Sequence, residues 1–507
     1  MKTILRFPIA LTPLSPIHIG CGEYYDPTEY LIKNGVLFAF DPLSVNLKPS
    51  DLQKLGKIAQ ALSTKDIALF YQNNSDLYLP RANALVPVSS SFESNYQKRF
   101  SVDLTRNTKP ANIKVINQCL ADRTAYFYGK DGLSQAYIPG SGIKGAIHTA
   151  LLDRVNCGQP RGKKDDVDKL ILHGTFSDSP MKQIRVSDFL SLEEFTATHI
   201  LFANRVKKAL SVFGSGIPNY FECILPGQPR LFRGEIALEI AVKGNQYAYE
   251  SLKELFADLN RYYLKRFDKE AQYNYSNKWL QGMHLLLSSV RNRLDNGTIA
   301  LIRVGKNNGA ENMVLHEGIA KIKRGKFGEA STTTTVWKCD FDGQCLPFGW
   351  ALLELDDSHS LNLEKLLPLP TNNAELSKHL LSNFLSLRLN YQAQQAEHQA
   401  RLDEEEKKRR AKEEAERIRQ HELNNLSENM RSVHLLEEKL QTTNRAVKPG
   451  TTLYIETMIL LEKALSWSLD EQRECAQRIA PLLKKRDMYQ GKDAKVLKSR
   501  IKELKHE

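Results

Sequence analysis

Tyr137-Ile138-Pro139-Gly140-Ser141-Gly142-Ile143-Lys144-Gly145 joins a short strand to a helix through a turn rich in glycine. Gly140-x-Gly142-x-x-Gly145 formally fits a dinucleotide fingerprint. That fingerprint belongs after a long, buried parallel strand near a domain start. Here the turn follows Pro139 and a short, polar-flanked strand, so a doubly wound fold is not the reading. What remains is local physics. Glycines let a backbone come close to a phosphate, a helix running from Ile143 to Arg154 offers N–H groups to an anion, and Lys144 adds a full charge. A glycine turn that serves packing alone is the competing reading.

Outward from this turn, the pattern is of strands separated by single helices. Leu5, Phe7, Ile9 and Leu11 alternate with Arg6, Pro8, Ala10 and Thr12, the period of a half-buried strand, and Pro8 hints at an edge. Tyr30 to Lys33 and Val36 to Phe40 flank Asn34-Gly35, a strong hairpin signal. Residues 48–131 are polar and poorly patterned, as in a helical and loop insertion. The segment 232–242 alternates again through Ile236, Leu238, Ile240 and Val242. A helix from Tyr249 to about Phe267 follows, with Leu252, Leu255, Phe256, Leu259 and Tyr263 on one face. Thr298 to Val304 is a strand that runs into Gly305-Lys306-Asn307-Asn308-Gly309. The sum is α+β, sheet and helix layers with antiparallel hairpins.

The composition changes after Asn390. Residues 393–420 are nearly all Ala, Gln, Glu, Lys and Arg, with Glu404, Glu405 and Glu406 four residues before Lys408, Arg409 and Arg410, and Glu413 four before Arg417. Such pairs support an exposed helix by about 0.3 kcal/mol each. Apolar positions are too sparse for a coiled-coil seam. Pro449-Gly450 breaks the helix, and three short helices follow, the second opened by Ser468-x-x-Glu471. The expected division is therefore 1–389, a charged helical spacer over 390–448, and a small basic helical unit over 449–507.

Composition sets the partner class. The 507 residues carry 71 Lys+Arg against 59 Asp+Glu, a formal +12, which suits a polyanion such as nucleic acid or an anionic membrane surface. Prolines 8, 13 and 16 interrupt the apolar start, arguing against a signal peptide. No apolar run nears the ~20 residues of a membrane span. Seven cysteines without a C-x-x-C pair read as reduced thiols, hence a cytoplasmic protein with no disulfide framework. Cys339, Cys345 and His316 lack zinc spacing, so neither metal nor cofactor is expected.

The two glycine turns gain meaning from their neighbours in sequence order. Ser15-Pro16-Ile17-His18-Ile19-Gly20-Cys21-Gly22 resembles the N-terminal signature of RAMP proteins, and residues 137–145 resemble their helix entry. Ile184-Arg185-Val186-Ser187-Asp188, then Glu222 with Leu225-Pro226-Gly227, then the loop Arg303 to Gly309, and last Leu346-Pro347-Phe348-Gly349-Trp350 follow in the family's order. The resemblance covers about the first three-quarters of the chain. Gly22-Glu23-Tyr24-Tyr25-Asp26-Pro27-Thr28-Glu29-Tyr30 looks most like the subunit of the type III-A CRISPR Csm family that caps the guide's 3′ end.

The resemblance implies ferredoxin-like domains related to RNA-recognition modules, with helical insertions. It implies a non-catalytic subunit that binds guide RNA, meets target RNA and stacks against other Csm subunits. It also implies a role in guide maturation and antiviral defence, with host nucleases among the candidate partners and no membrane. The residues expected at RNA are His18, Gly20 and Gly22; Gly140, Ser141, Gly142 and Lys144; and Arg303, Gly305, Lys306 and Asn307. Gly142 stands where the family usually has Ser, and Ala310 where an aromatic or apolar residue is usual. The rivals are another RAMP subunit of a type III complex and a metal-dependent endoribonuclease, since related subunits cut RNA with an aspartate in the loop that holds Asp26 here. Asp26-Pro27 is equally a turn former. His18 as a general base is weighed against a hydrogen-bonded structural histidine. The long helix with its basic end is, alternatively, a protein-recruiting arm.

Overall fold

The computed structural model describes residues 2–100, 119–159, 172, 179–209, 219–241, 246–313, 315, 321–323, 330–357, 362–369, 371–490 and 494–506. His316 and Val242 lie outside them. The chain divides into two compact units, Met1–Tyr391 and Gln392–Glu507.

The first unit is built on two antiparallel-rich sheets. One runs in the order Leu190–Ser191, Phe232–Ala241, Lys2–Pro13, Trp350–Leu355, Ile299–Arg303, with Ile184–Val186 also paired to Phe232–Ala241. The other runs Gln344–Leu346, Thr335–Phe341, His199–Lys207, Asn219–Cys223, Ala121–Thr124, Gly20–Tyr25. The first strand is thus interior to its sheet. Its Pro8 is still accommodated as at an edge. Pairing to Trp350–Leu355 begins only at Ile9, and the Pro8 carbonyl faces that side, accepting from the Asp356 N–H at 2.9 Å. The donor that proline lacks therefore points past the end of the neighbouring strand.

The alternation read from this strand holds only in part. Ile9 and Leu11 are fully buried, but so are Ala10 and Thr12, because the strand is covered on both faces there. Leu5, expected inward, is 36% exposed. The hairpin forms as its turn chemistry requires. Tyr30–Lys33 pairs with Val36–Ala39, and Asn34 and Gly35 take φ of 53° and 73°, the two left-handed residues of a type I′ turn. The region 48–131 contains helices at Pro49–Gln60, Thr64–Asn73 and Ser90–Phe100, and also strands at Ala84–Pro87 and Ala121–Thr124 that its polar composition conceals.

Two helices back the first sheet. Gly140–Asn156 sends Ile143, Ile147, Ala150 and Leu151 into the core, and Leu252–Glu270 sends Leu255, Phe256, Leu259, Tyr263 and Phe267 into the same cluster. Ser251 caps the second helix by accepting from the Glu254 N–H. Buried Asn260 pins this helix to the strand beside it. Its amide donates to the Leu294 and Ile299 carbonyls at 2.9 and 2.8 Å and accepts from the Leu301 N–H at 2.8 Å. Asn260→Leu strands all three partners in the core. The expected result is a loss of roughly 2–3 kcal/mol, read from the denaturant midpoint at unchanged slope.

In the second unit the helix break falls earlier than Pro449-Gly450. The helix Asn373–Asn425 ends before Ser427, whose hydroxyl accepts from the Met430 N–H at 3.2 Å and opens Glu428–Thr442. That helix packs with Thr452–Ala464, Leu469–Lys485 and Ala494–Lys505 around Val433, Leu440, Leu461, Ile479, Leu483 and Leu497. Among the described residues, the three helices expected beyond Pro449-Gly450 thus share this core with a fourth that precedes it. Along the long helix Glu404 pairs with Lys408 and Glu406 with Arg410, both at 2.7 Å. Arg417 pairs with Glu414 rather than Glu413, one turn being served equally by three or four residues.

Candidate nucleic-acid interface

Three segments far apart in sequence meet at one open cleft of about 530 Å³. Ile19 and Gly20 come from the first glycine segment. Pro139, Ser141, Gly142, Gly145, Ala146, His148 and Thr149 come from the helix entry, and Arg303 to Lys306 with Asn308 and Asn312 from the second loop; Tyr263 completes the wall. The helix forms one side because it is two-faced. Residues 143, 147, 150 and 151 enter the core, so 141, 142, 145, 148 and 149 face outward. Among the described residues, a Cβ at Gly142 or Gly145 would meet nothing within 4 Å. These two glycines are not demanded by packing.

Other glycines are. Gly305 has φ of 89°, and a Cβ there would sit 2.5 Å from the His18 carbonyl, which accepts the Lys306 N–H at 2.8 Å. A Cβ on Gly140 would lie 2.4 Å from the Val186 carbonyl. Gly349 donates to the Pro16 carbonyl at 2.8 Å and accepts from the Val304 N–H at 2.9 Å. The glycine segments are thus stitched to one another by backbone hydrogen bonds. Gly22, with φ of 89°, sits in a strand whose register shifts between Gly20 and Tyr24, and it does not line the cleft.

The cations behave differently from the sequence expectation. Lys144 is not on the cleft wall. Its ammonium donates to the Ile184 carbonyl at 2.8 Å, and burial pulls its pKa down. The helix start is also occupied: Asp188 accepts the Gly140 N–H at 2.8 Å, so a carboxylate already takes part of the anion site expected there. Arg303 lines the cleft, but its side chain is buried, ion-paired with Glu270 and donating to the Phe348 carbonyl at 2.8 Å. Among the described residues its Nη2 has no partner. Lys306 remains half-exposed on the cleft, 2.9 Å from Asp122.

His18 is fully buried. Its Nδ1 lies 2.8 Å from the Glu222 carbonyl, which can only accept, so the proton is on Nδ1 and Nε2 carries the lone pair. Burial lowers its pKa, and Nε2, without a partner among the described residues, is shut in beneath Gly20. The expected contact to RNA through this ring is not available; it is a packing residue. Glu222 is the hub of that packing. Its carboxylate accepts from Thr198, Thr124 and Tyr25 at 2.6, 3.0 and 3.1 Å, while burial pushes its pKa up. Asn307 adopts φ of 70° with a buried Nδ2 that has no partner among the described residues, and stands off the cleft lining. Its neighbour Asn308, which the sequence reading passed over, lines the cleft and donates to the Gly305 carbonyl at 2.9 Å.

Among known proteins, no family model matches the chain. It is 28% identical over 215 residues to "CRISPR system Cms protein Csm5" of Methanocaldococcus jannaschii, covering 39% of this chain. The match spans 46% of that relative's length, so about half of it. Two solved structures are similar. One is in the cryo-EM structure of a type III-A Csm-crRNA-target RNA ternary complex, at 17% identity, covering 69% of this chain and all of that one, with a TM-score of 0.42. The other is the crystal structure of T. onnurineus Csm5, at 16% identity, covering 68% and 99%, with a TM-score of 0.39. In keeping with the motif order already on the page, the sequence match makes the chain similar to a Csm protein of a CRISPR system over those 215 residues. Within that class the matched relative is a Csm5 protein. Among the described residues, no helix is long and apolar enough to cross a membrane.

Proposed function

We propose that this protein is the RNA-binding, non-catalytic subunit of a type III-A Csm ribonucleoprotein. It holds guide RNA near the 3′ end, touches target RNA and neighbouring Csm subunits, and supports guide maturation and antiviral defence in the cytoplasm. The two sheets with their backing helices are then ferredoxin-like RAMP domains. The observation that carries this reading is the convergence of residues 19–20, 139–149 and 303–312 on one cleft. Its glycines at 142 and 145 leave room that packing does not need. A sugar-phosphate chain uses such room, because close backbone approach gives affinity without base readout.

Lys306 supplies the test. Lys306→Ala is expected to lower the log–log salt slope of single-stranded RNA binding by about 0.7. Asp122→Asn frees the same ammonium and is expected to strengthen binding. An unchanged slope in the first variant, or weaker binding in the second, contradicts the contact.

The nuclease alternative rests on Asp26. One of its oxygens accepts from the Thr28 N–H at 2.9 Å and from the Thr28 hydroxyl at 2.6 Å, which favours a turn-forming role. Asp26→Ala is therefore expected to leave any RNA cleavage by the purified complex unchanged. Loss of a cut opposite this subunit would install the alternative.

A further inference from the structure

The second unit neutralises its charges unevenly. On the long helix Arg401, Lys408, Arg410 and Arg417 each have a carboxylate within 3 Å. In the helical core beyond it, Lys439 pairs with Glu456, Arg478 with Glu437, and Arg500 with Glu503. Arg445, Lys448, Lys484, Lys485, Lys495 and Lys502 are exposed, and among the described residues none has an ion-pair partner.

Three segments bring these cations together. The loop carrying Arg445 and Lys448 joins the end of helix Leu469–Lys485, where the Val447 N–H donates to the Arg486 carbonyl at 3.0 Å. Arg486 in turn donates to the Leu440 and Gln441 carbonyls at 2.7 and 2.6 Å, holding the loop's other end. Tyr489 follows, with the Lys498 ammonium 5.6 Å from its ring centre. Lys495, Lys498 and Lys502 then form one stripe along Ala494–Lys505, spanning about 10 Å at the helical rise. Lys484 and Lys485 also complement the negative end of their helix. That role does not call for the loop and the neighbouring helix to add more like charge beside them.

We propose that this face is a second nucleic-acid surface, carried by the helical unit itself, that takes the phosphate backbone of single-stranded RNA. Unpaired like charges repel, and a polyanion removes that cost while releasing its own counterions. An interfacial membrane helix needs a broad apolar face turned outward. Here Leu497, Ile501 and Leu504 are turned inward. The inference does not depend on the cleft of the first unit.

The test uses the full chain and a labelled oligo-uridylate. The quadruple variant Lys448→Ala/Lys484→Ala/Lys485→Ala/Lys495→Ala, with its unfolding midpoint checked, is expected to lower the salt slope by about two to three and to weaken binding about tenfold or more. Arg401→Ala, which removes a paired cation on the long helix, is expected to change neither. An unaltered slope in the quadruple variant overturns the proposal. So does an equal loss in Arg401→Ala, which would make the effect one of net charge. Loss of binding to phosphatidylserine vesicles with RNA binding intact also overturns it. A lowered slope here, with Lys306→Ala without effect, upholds this surface and counts against the cleft alone.

Discussion

Arg303→Met is expected to destabilise the first unit by about 3–5 kcal/mol, the cost of leaving one buried charge without its partner. The Arg303 side chain is fully shielded from solvent and the Glu270 side chain is 4% exposed. Glu270 keeps two donors, Tyr275 Oη at 2.7 Å and Trp350 Nε1 at 3.1 Å, but loses its counter-charge. The strand Ile299–Arg303 and the Trp350 segment meet at this pair, so the loss is global rather than local. Arg303→Met/Glu270→Met removes both charges and is expected to recover part of the deficit, the remainder being the Phe348 carbonyl and the Tyr275 and Trp350 donors left without partners. Denaturant unfolding of the two variants separates these outcomes. Equal destabilisation in both would mean that packing, not charge, sets the cost.

The second large effect has opposite signs in two assays. Gly142→Leu/Gly145→Leu places side chains on the outward face of a helix, where a Cβ meets nothing within 4 Å. Replacing two glycines in the first two turns of the helix is expected to stabilise the fold by roughly 1 kcal/mol, because the unfolded chain loses freedom it would otherwise regain. The same side chains fill the cleft. Binding of guide RNA is expected to fall by about a hundredfold, roughly 2.7 kcal/mol, if the backbone must approach the helix closely. Thermal unfolding and RNA titration on one preparation read both. A protein that is stabilised yet binds RNA normally would remove the cleft from the account.

Some of this was legible in the chain. The hairpin was, because Asn34-Gly35 has a single favoured turn and its flanks alternate. The convergence of the glycine segments was implied by their family order, although nothing local shows that Gly349 bonds to Pro16 across the whole unit. The fate of the cations was not legible. Lys144 and Lys306 look alike beside their glycines, yet one is held by the Ile184 carbonyl and the other stands on the cleft. Arg303 is neutralised by a carboxylate 33 residues earlier, Glu270, which lies beyond the helix end that the sequence pattern places at about Phe267. Long-range partners of this kind leave no periodic trace. The helix break at Ser427 was hidden for another reason. Its cap sits within a polar, helix-favouring stretch, where one serine carries the signal.

Placement of RNA on the protein tests the central claim most directly. The purified ribonucleoprotein, assembled on guide RNA with photoreactive thiouridines near the 3′ end, is irradiated and the adducts are mapped by mass spectrometry. The account predicts adducts at residues 141–149 and 305–312. Adducts confined to surfaces away from both segments, at full guide occupancy, would contradict it.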